Sequence, residues 1–402
     1  MGTIKRWLGL FFSQWSDIKK IRENRKVKES DGTVLILRLD AIGDFILFLD
    51  SARAYREIFP NRQLVLLCNK ACVPFAEQSG YFDRCITREE LPGGLKNCEI
   101  LIQTVYAKTR EIDVIAASIP AVRKISIRPD DSKVNLSRAL TIRRIRKACD
   151  SIYDELIDTG DERLMELDRN AAFIRGLGKK DFRSNVPELK PLESEALNQD
   201  ILGLDRSDVS KERASTSPNP YYIVFPGASS RNKMWAAENY AEVIGRIYQE
   251  TGLECVVCGA PGEEWIFEEL LRWLQKKGTA LIPVDDRIGR TSLLELAELI
   301  RGAEFLIGND TSGIHIAAAV GTKSLCIAGD FVYGRFIPYR IEGKTDRPLP
   351  AVVHAGMCCQ GCAYHRKTLK CLCLVFAKRQ FECISKISAK TVIQALFDNK
   401  FI

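Results

Sequence analysis

The chain of 402 residues has no long hydrophobic run. Apolar stretches such as Val34–Leu37 and Ala317–Val320 fall far short of the roughly 18 residues that a spanning helix needs. Its N-terminus lacks the order of basic region, long apolar region and small-residue cleavage site that marks a secretory signal, so the expected location is cytoplasmic. No internal repeat or low-complexity tract is present. The GxxxxGK[ST] spacing of a P-loop is missing. So is any Asp-x-Asp, since Asp285 and Asp286 are adjacent, and no catalytic metal is expected. Basic charge is scarce outside the first 30 residues. They hold eight basic and three acidic residues, +5 of the chain's +7, and a body with so little excess excludes a nucleic-acid stripe.

What is present is the composition of a soluble globular protein, 46% hydrophobic and 28% charged. Its length suits two domains of roughly 150–200 residues. The leader 1–30 sets Trp7, Leu8, Leu10, Phe11, Phe12, Trp15 and Ile18 before a basic run. Such a helix suits an anionic membrane interface, or docking on the protein's own body with its lysines in water.

From Thr33 onward, continuous β-rich runs alternate with helical stretches, the pattern of parallel strands covered on both faces. Strands are expected at 33–39, 63–68, 99–103 and 124–127, with a helix from about Phe45 to Ile58 and helical structure over 137–178. Polar residues and prolines between Pro187 and Pro220 read as a linker. A second series follows, with strands at 221–225, 253–258, 280–283, 304–307 and 324–328. Two such series predict an α/β chain of two doubly wound domains, with ligand at the carboxyl ends of the strands.

Three strand-to-helix loops carry candidate chemistry. In Asp40-Ala41-Ile42-Gly43-Asp44, Gly43 permits a tight turn and Asp44 falls near a helix N-terminus, as a ligand-facing acid or a plain cap. Residues 225–235, FPGASSRNKMW, combine main-chain N–H groups, Ser229, Ser230 and two cations at a helix start, which suits an anion. Residues 308–315 hold Asp310, Thr311, Ser312 and Gly313, small enough for close ligand approach, and then His315 within an apolar helix.

These residues carry a resemblance. ILRLDAIGDFIL, FPGASSRNKMWAAENYAEVI, VVCGAPGEE and SLLELAELIRGAEFLIGNDTSGIHIAAAVGT resemble, in order and spacing, glycosyltransferase family 9, the lipopolysaccharide heptosyltransferases. The resemblance implies a GT-B fold, two Rossmann-like domains facing across a cleft. It also implies inverting transfer from a nucleoside-diphosphate sugar, typically ADP-heptose, to a glycan or glycolipid acceptor such as lipopolysaccharide core. Asp44, after Gly43, matches the family's general base. Lys233 matches the lysine on the donor phosphates, with Ser229 and Ser230 beside it. Glu263 matches the acid near the donor ribose, and Asp310, Thr311 and Ser312 match the donor loop, with Gly313 and His315 beside them as further candidates for donor contact or, for His315, a core histidine. Many members have Gly-Pro or Gly-Leu after the threonine where this chain has Ser312-Gly313.

The implied organisation is a basic amphipathic leader (1–30), an acceptor-side domain (31–190), a linker (191–219), a nucleotide-sugar domain (220–355) and a cysteine knuckle with a C-terminal helix (356–402). Six of the fourteen cysteines crowd into 358–383. Cys359, Cys362, Cys373 and Cys383, with Cys371 as substitute, form a candidate tetrahedral site for structural zinc or iron. Free thiols remain the other reading. Two further functional readings stay open: protein O-heptosylation of a secreted adhesin, and a non-catalytic nucleotide- or nucleic-acid-binding module. The leader leaves contact with the inner membrane face possible as a partner surface.

Overall fold

The computed structural model describes residues 17–402 apart from 18, 22, 92–94, 108, 129–145, 162, 193–219 and 363–379. The chain divides into two compact units, Met1–Ser184 and Asn185–Ile402.

The first unit is a six-stranded sheet in the order β3-β2-β1-β4-β5-β6, every neighbouring pair parallel. Its strands are β1 (Val34–Arg38), β2 (Leu64–Cys68), β3 (Arg84–Ile86), β4 (Cys98–Gln103), β5 (Ala121–Ile127) and β6 (Glu155–Ile157). Helices α1 (Ile42–Ile58), α2 (Val73–Ser79), α3 (Arg110–Ser118) and α4 (Glu166–Gly176) connect or follow them. β1 and β2 are buried at every position, which is why their sequences run apolar without alternation.

The second unit repeats this winding. Its strands are β7 (Tyr221–Phe225), β8 (Glu254–Val257), β9 (Val284–Asp286), β10 (Leu306–Asn309), β11 (Ser324–Ile327) and β12 (Ala351–Val353). They lie in the order β12-β11-β10-β7-β8-β9, again all parallel. The helices are α5 (Ala237–Thr251), α6 (Glu264–Lys276), α7 (Leu293–Arg301), α8 (Ser312–Val320), α9 (Glu382–Ser385) and α10 (Ala389–Asp398). Counted from its own first strand, each sheet has the Rossmann order 3-2-1-4-5-6. The order reverses between β1 and β4 in one sheet and between β7 and β10 in the other. Ligand crevices are expected at these two places, beyond the carboxyl ends of the strands.

Several sequence expectations need correction. The span 137–178 is not one helical region, because β6 pairs with β5 inside it and α4 begins only at Glu166. Three residues are too few to show a strand period. Strand β9 starts at Val284, one residue beyond the expected 280–283, and Leu281 is fully exposed there. Gly43 makes no turn. It lies within α1, and its φ is not positive.

The leader's residues 1–16 lie outside the described residues. The remainder is docked on the first unit. Ile21 is buried in the core, Asn24 donates its side-chain amide to Ile152 O at 3.2 Å, and Arg25 N donates to Ala117 O at 3.0 Å. Lys124, itself fully buried, reaches Asn24 Oδ1 at 2.8 Å and Ala116 O, near the end of α3, at 2.7 Å. No helix among the described residues is long and apolar enough to cross a membrane.

Candidate active site

In the first unit the site is built around an arginine. Arg38 ends β1 and is fully buried. Its guanidinium meets Asp40 Oδ2 at 2.8 Å and Glu166 Oε1 at 3.4 Å, and it donates to Thr104 O at 3.1 Å and Asp44 O at 3.0 Å. The face of Phe48 covers it at 5.1 Å. A buried cation needs such compensation, and its field in turn holds the turn that carries Asp44.

Asp44 lies in the first turn of α1, where the helix dipole favours a carboxylate. It is not the cap. That position belongs to Ala41, whose side chain can make no cap bond. Asp40 behaves differently. Burial, helped by the neighbouring Asp44 and Glu166 carboxylates and opposed by Arg38, pushes its pKa up to about 7.

In the second unit three loops converge at the reversal between β7 and β10. Asn309, fully buried at the end of β10, ties two of them. Its side-chain amide donates to Pro226 O at 2.6 Å and Gly227 O at 3.2 Å, and its Oδ1 accepts from Trp235 N at 3.1 Å. The third loop enters through Glu263, whose Oε2 accepts from Ala260 N at 2.9 Å. A Cβ on Gly227 would lie 2.2 Å from that carboxylate, so any larger residue there would push the Glu263 side chain from its present place. Half-buried, Glu263 has its pKa raised by desolvation against the opposing main-chain bonds.

Ser229 and Ser230 are exposed, and Lys233 closes a short 3-10 turn, Arg231–Lys233, ahead of α5. Its ammonium sits 5.3 Å from the centre of the Phe331 ring and, among the described residues, pairs with no carboxylate. Thr311 is the N-cap of α8 yet makes no cap bond, and its Oγ1 is buried without a partner among the described residues. A buried hydroxyl left so costs about 1–3 kcal/mol, which a ligand atom would recover. Gly313 packs on Phe225, where a Cβ would come within 2.9 Å of the ring.

His315 is buried, with Nδ1 2.9 Å from Tyr339 Oη and Nε2 3.9 Å from Asp310 Oδ1. Burial pushes its pKa down to about 4, so the ring is neutral at physiological pH.

Sequence reasoning missed Arg38, Asp40, Glu166 and Asn309. An arginine inside the apolar run VLILRL was the available signal for the first. Asn309, beside the expected donor loop, reads as one more small polar residue until its bonds are seen.

Of the candidate metal ligands, Cys359 is half-buried, Cys362 and Cys383 are buried in one apolar cluster, and Cys373 lies outside the described residues. No group of three metal-binding side chains occurs among the described residues, so the knuckle is not seen.

The profile of glycosyltransferase family 9 (heptosyltransferase) matches residues 190–344, the stretch that holds all three loops of the second unit. The chain carries a glycosyltransferase family 9 domain. Lipopolysaccharide heptosyltransferase 3 of Escherichia coli is 30% identical over 118 residues, 29% of this chain and 33% of that protein. The match thus spans about a third of that relative's length. Lipopolysaccharide core heptosyltransferase OpsX of Haemophilus influenzae is 22% identical over 308 residues, 73% of this chain and 78% of the relative.

Solved structures share the fold. A family 9 glycosyl transferase from Veillonella parvula superposes with a TM-score of 0.64 at 15% identity, covering 92% of this chain and 98% of its own. The E. coli ADP-heptose LPS heptosyltransferase II gives 0.60 at 16% identity, with coverage of 92% and 98%. The iron-containing dodecameric glycosyltransferase TibC, also from E. coli, gives 0.52 at 16%, with 93% and 77%. The chain thus has two parallel six-stranded sheets in an α/β architecture, with GT-B-type glycosyltransferases among its structural neighbours.

Proposed function

We propose that the protein is an inverting glycosyltransferase that moves a heptose from ADP-heptose to a hydroxyl of a cell-surface glycan such as lipopolysaccharide core. One observation carries the reading. At the reversal point of the second sheet, a lysine without a carboxylate partner among the described residues stands in the same loop cluster as an unpartnered buried threonine hydroxyl. That is a place prepared for a diphosphate. The curated relatives are heptosyltransferases, which favours this sugar, and the structural neighbour from E. coli, ADP-heptose LPS heptosyltransferase II, favours this donor.

In the proposed reaction the acceptor oxygen attacks the anomeric carbon as its proton passes to the Asp44 carboxylate. The bond from that carbon to the diphosphate oxygen breaks, and the configuration inverts. Negative charge grows on the leaving nucleoside diphosphate, where Lys233, the hydroxyls of Ser229 and Ser230 and the dipole of α8 stabilise it. Glu263 would take the donor ribose, and Asp310, Ser312 and His315 would line the sugar-phosphate end.

The test is transfer from ADP-heptose to purified acceptor glycan. Asp44→Ala should lower kcat by about 10²–10⁴-fold, the usual worth of a general base. Lys233→Ala should lower it by about 10²–10³-fold, as for one electrostatic donor. Transfer by Asp44→Ala near the wild-type rate would remove the base assignment.

The C-terminal cysteines are proposed to hold one structural metal through Cys359, Cys362, Cys373 and Cys383. The shared burial of Cys362 and Cys383 supports this, as does the iron-containing neighbour TibC. Four thiolates would saturate the ion and leave the chemistry to the loops.

A further inference from the structure

The segment just before α9 is bound to the loop that carries Lys233, and the contacts bracket that lysine. Phe381 N donates to Asn232 O at 2.9 Å, immediately before it. Gln380 Nε2 donates to Met234 O at 2.5 Å, immediately after it. One residue further on, Trp235 Nε1 donates to Ile387 O at 2.8 Å. The lysine side chain follows the same support, since its ammonium lies over Phe331 and that ring packs on Phe381 with centroids 4.7 Å apart. Trp235, Phe331, Phe381, Ile384 and Ile387 all belong to one buried cluster.

A second tether reaches the same place. Asp330, fully buried beside Phe331, accepts from Met357 N at 2.9 Å and from Gln360 Nε2 at 3.3 Å, while its carbonyl accepts from Gly361 N at 2.7 Å. The stretch 357–361 therefore leans on Asp330, next to the ring beneath Lys233, while Gln380–Ile387 holds the lysine loop itself.

We propose that Gln380–Ile387 is the positioning element of the donor-phosphate loop, holding Lys233 by gripping the residues on either side of it. The inference rests on the proposed function only in taking Lys233 as the phosphate-binding group. A long, flexible ammonium gains most from a fixed stem, because the rotamer entropy lost on meeting phosphate is then smaller. Gln380 touches no substrate in this scheme and acts through Lys233.

The test is a double-mutant cycle read as ADP affinity by calorimetry. Gln380→Ala should weaken ADP about tenfold, the size of one well-made hydrogen bond. On a Lys233→Ala background the same change should have no further effect. Gln380→Glu, equal in shape but without the N–H, replaces the alanine variant if that one does not fold. Unchanged ADP affinity, or an equal loss on both backgrounds, would overturn the positioning role and leave the functional reading intact. Failure of the wild type to bind ADP would remove the functional reading, and this inference with it.

Discussion

His315 and Asp40 carry opposite pH signatures. The imidazole, held at about 4 by burial, binds fewer protons in the folded state than in the unfolded one between pH 4 and 6.5. Folding stability from this residue is therefore complete above pH 6.5 and lost as the pH falls towards 4. Asp40 is the reverse. With its pKa raised to about 7, it keeps a proton in the folded state that the unfolded chain has released, so its contribution falls as the pH rises from 4 to 7. The two windows overlap, and only variants separate them. Chemical denaturation should show the wild type losing up to about 3 kcal/mol relative to His315→Gln on acidification from pH 6.5 to 4. Relative to Asp40→Asn it should lose stability in the opposite direction, from pH 4 to 7. A flat difference for either variant would remove that residue's assigned environment.

At the scale of elements, the long strands and their following loops were legible in sequence. β1, β2, β7 and β10 are apolar because both faces are covered, and that burial writes itself into composition. Short elements were not. β6 and β9 have three residues each, too few for a period, and their neighbours rather than their own sequence place them. The site followed the same rule. Asp44 and Lys233 announce themselves by spacing after a strand, whereas Arg38, Asp40, Glu166 and Asn309 matter through partners between 2 and 128 residues away. The cysteine-bearing segments make a separate prediction. Elemental analysis of the purified protein should find zinc or iron at about one per chain, the stoichiometry of a four-thiolate site. Finding neither would leave them as free thiols.

The whole molecule contains two units of like topology, and the proposed function divides the work between them. Nucleotide should stabilise the second unit alone. At 100 times its dissociation constant, ADP should add about 2.7 kcal/mol to that unit's stability. Hydrogen exchange should then slow at residues 226–235, 259–263 and 308–315 while the amides of β1 and α1 keep their rates. Equal protection in the first unit would contradict this division.

The shared winding order has a chemical corollary. Asp44 and Lys233 both follow the opening strand of their own sheet, so the proposed proton acceptor and the proposed phosphate counter-charge occupy equivalent addresses in one architectural plan used twice. Reaction polarity is then set by which charge each copy puts at that address. On the proposed function, a handful of side chains, set on a common frame, makes one copy the basic partner and the other the anion receptor.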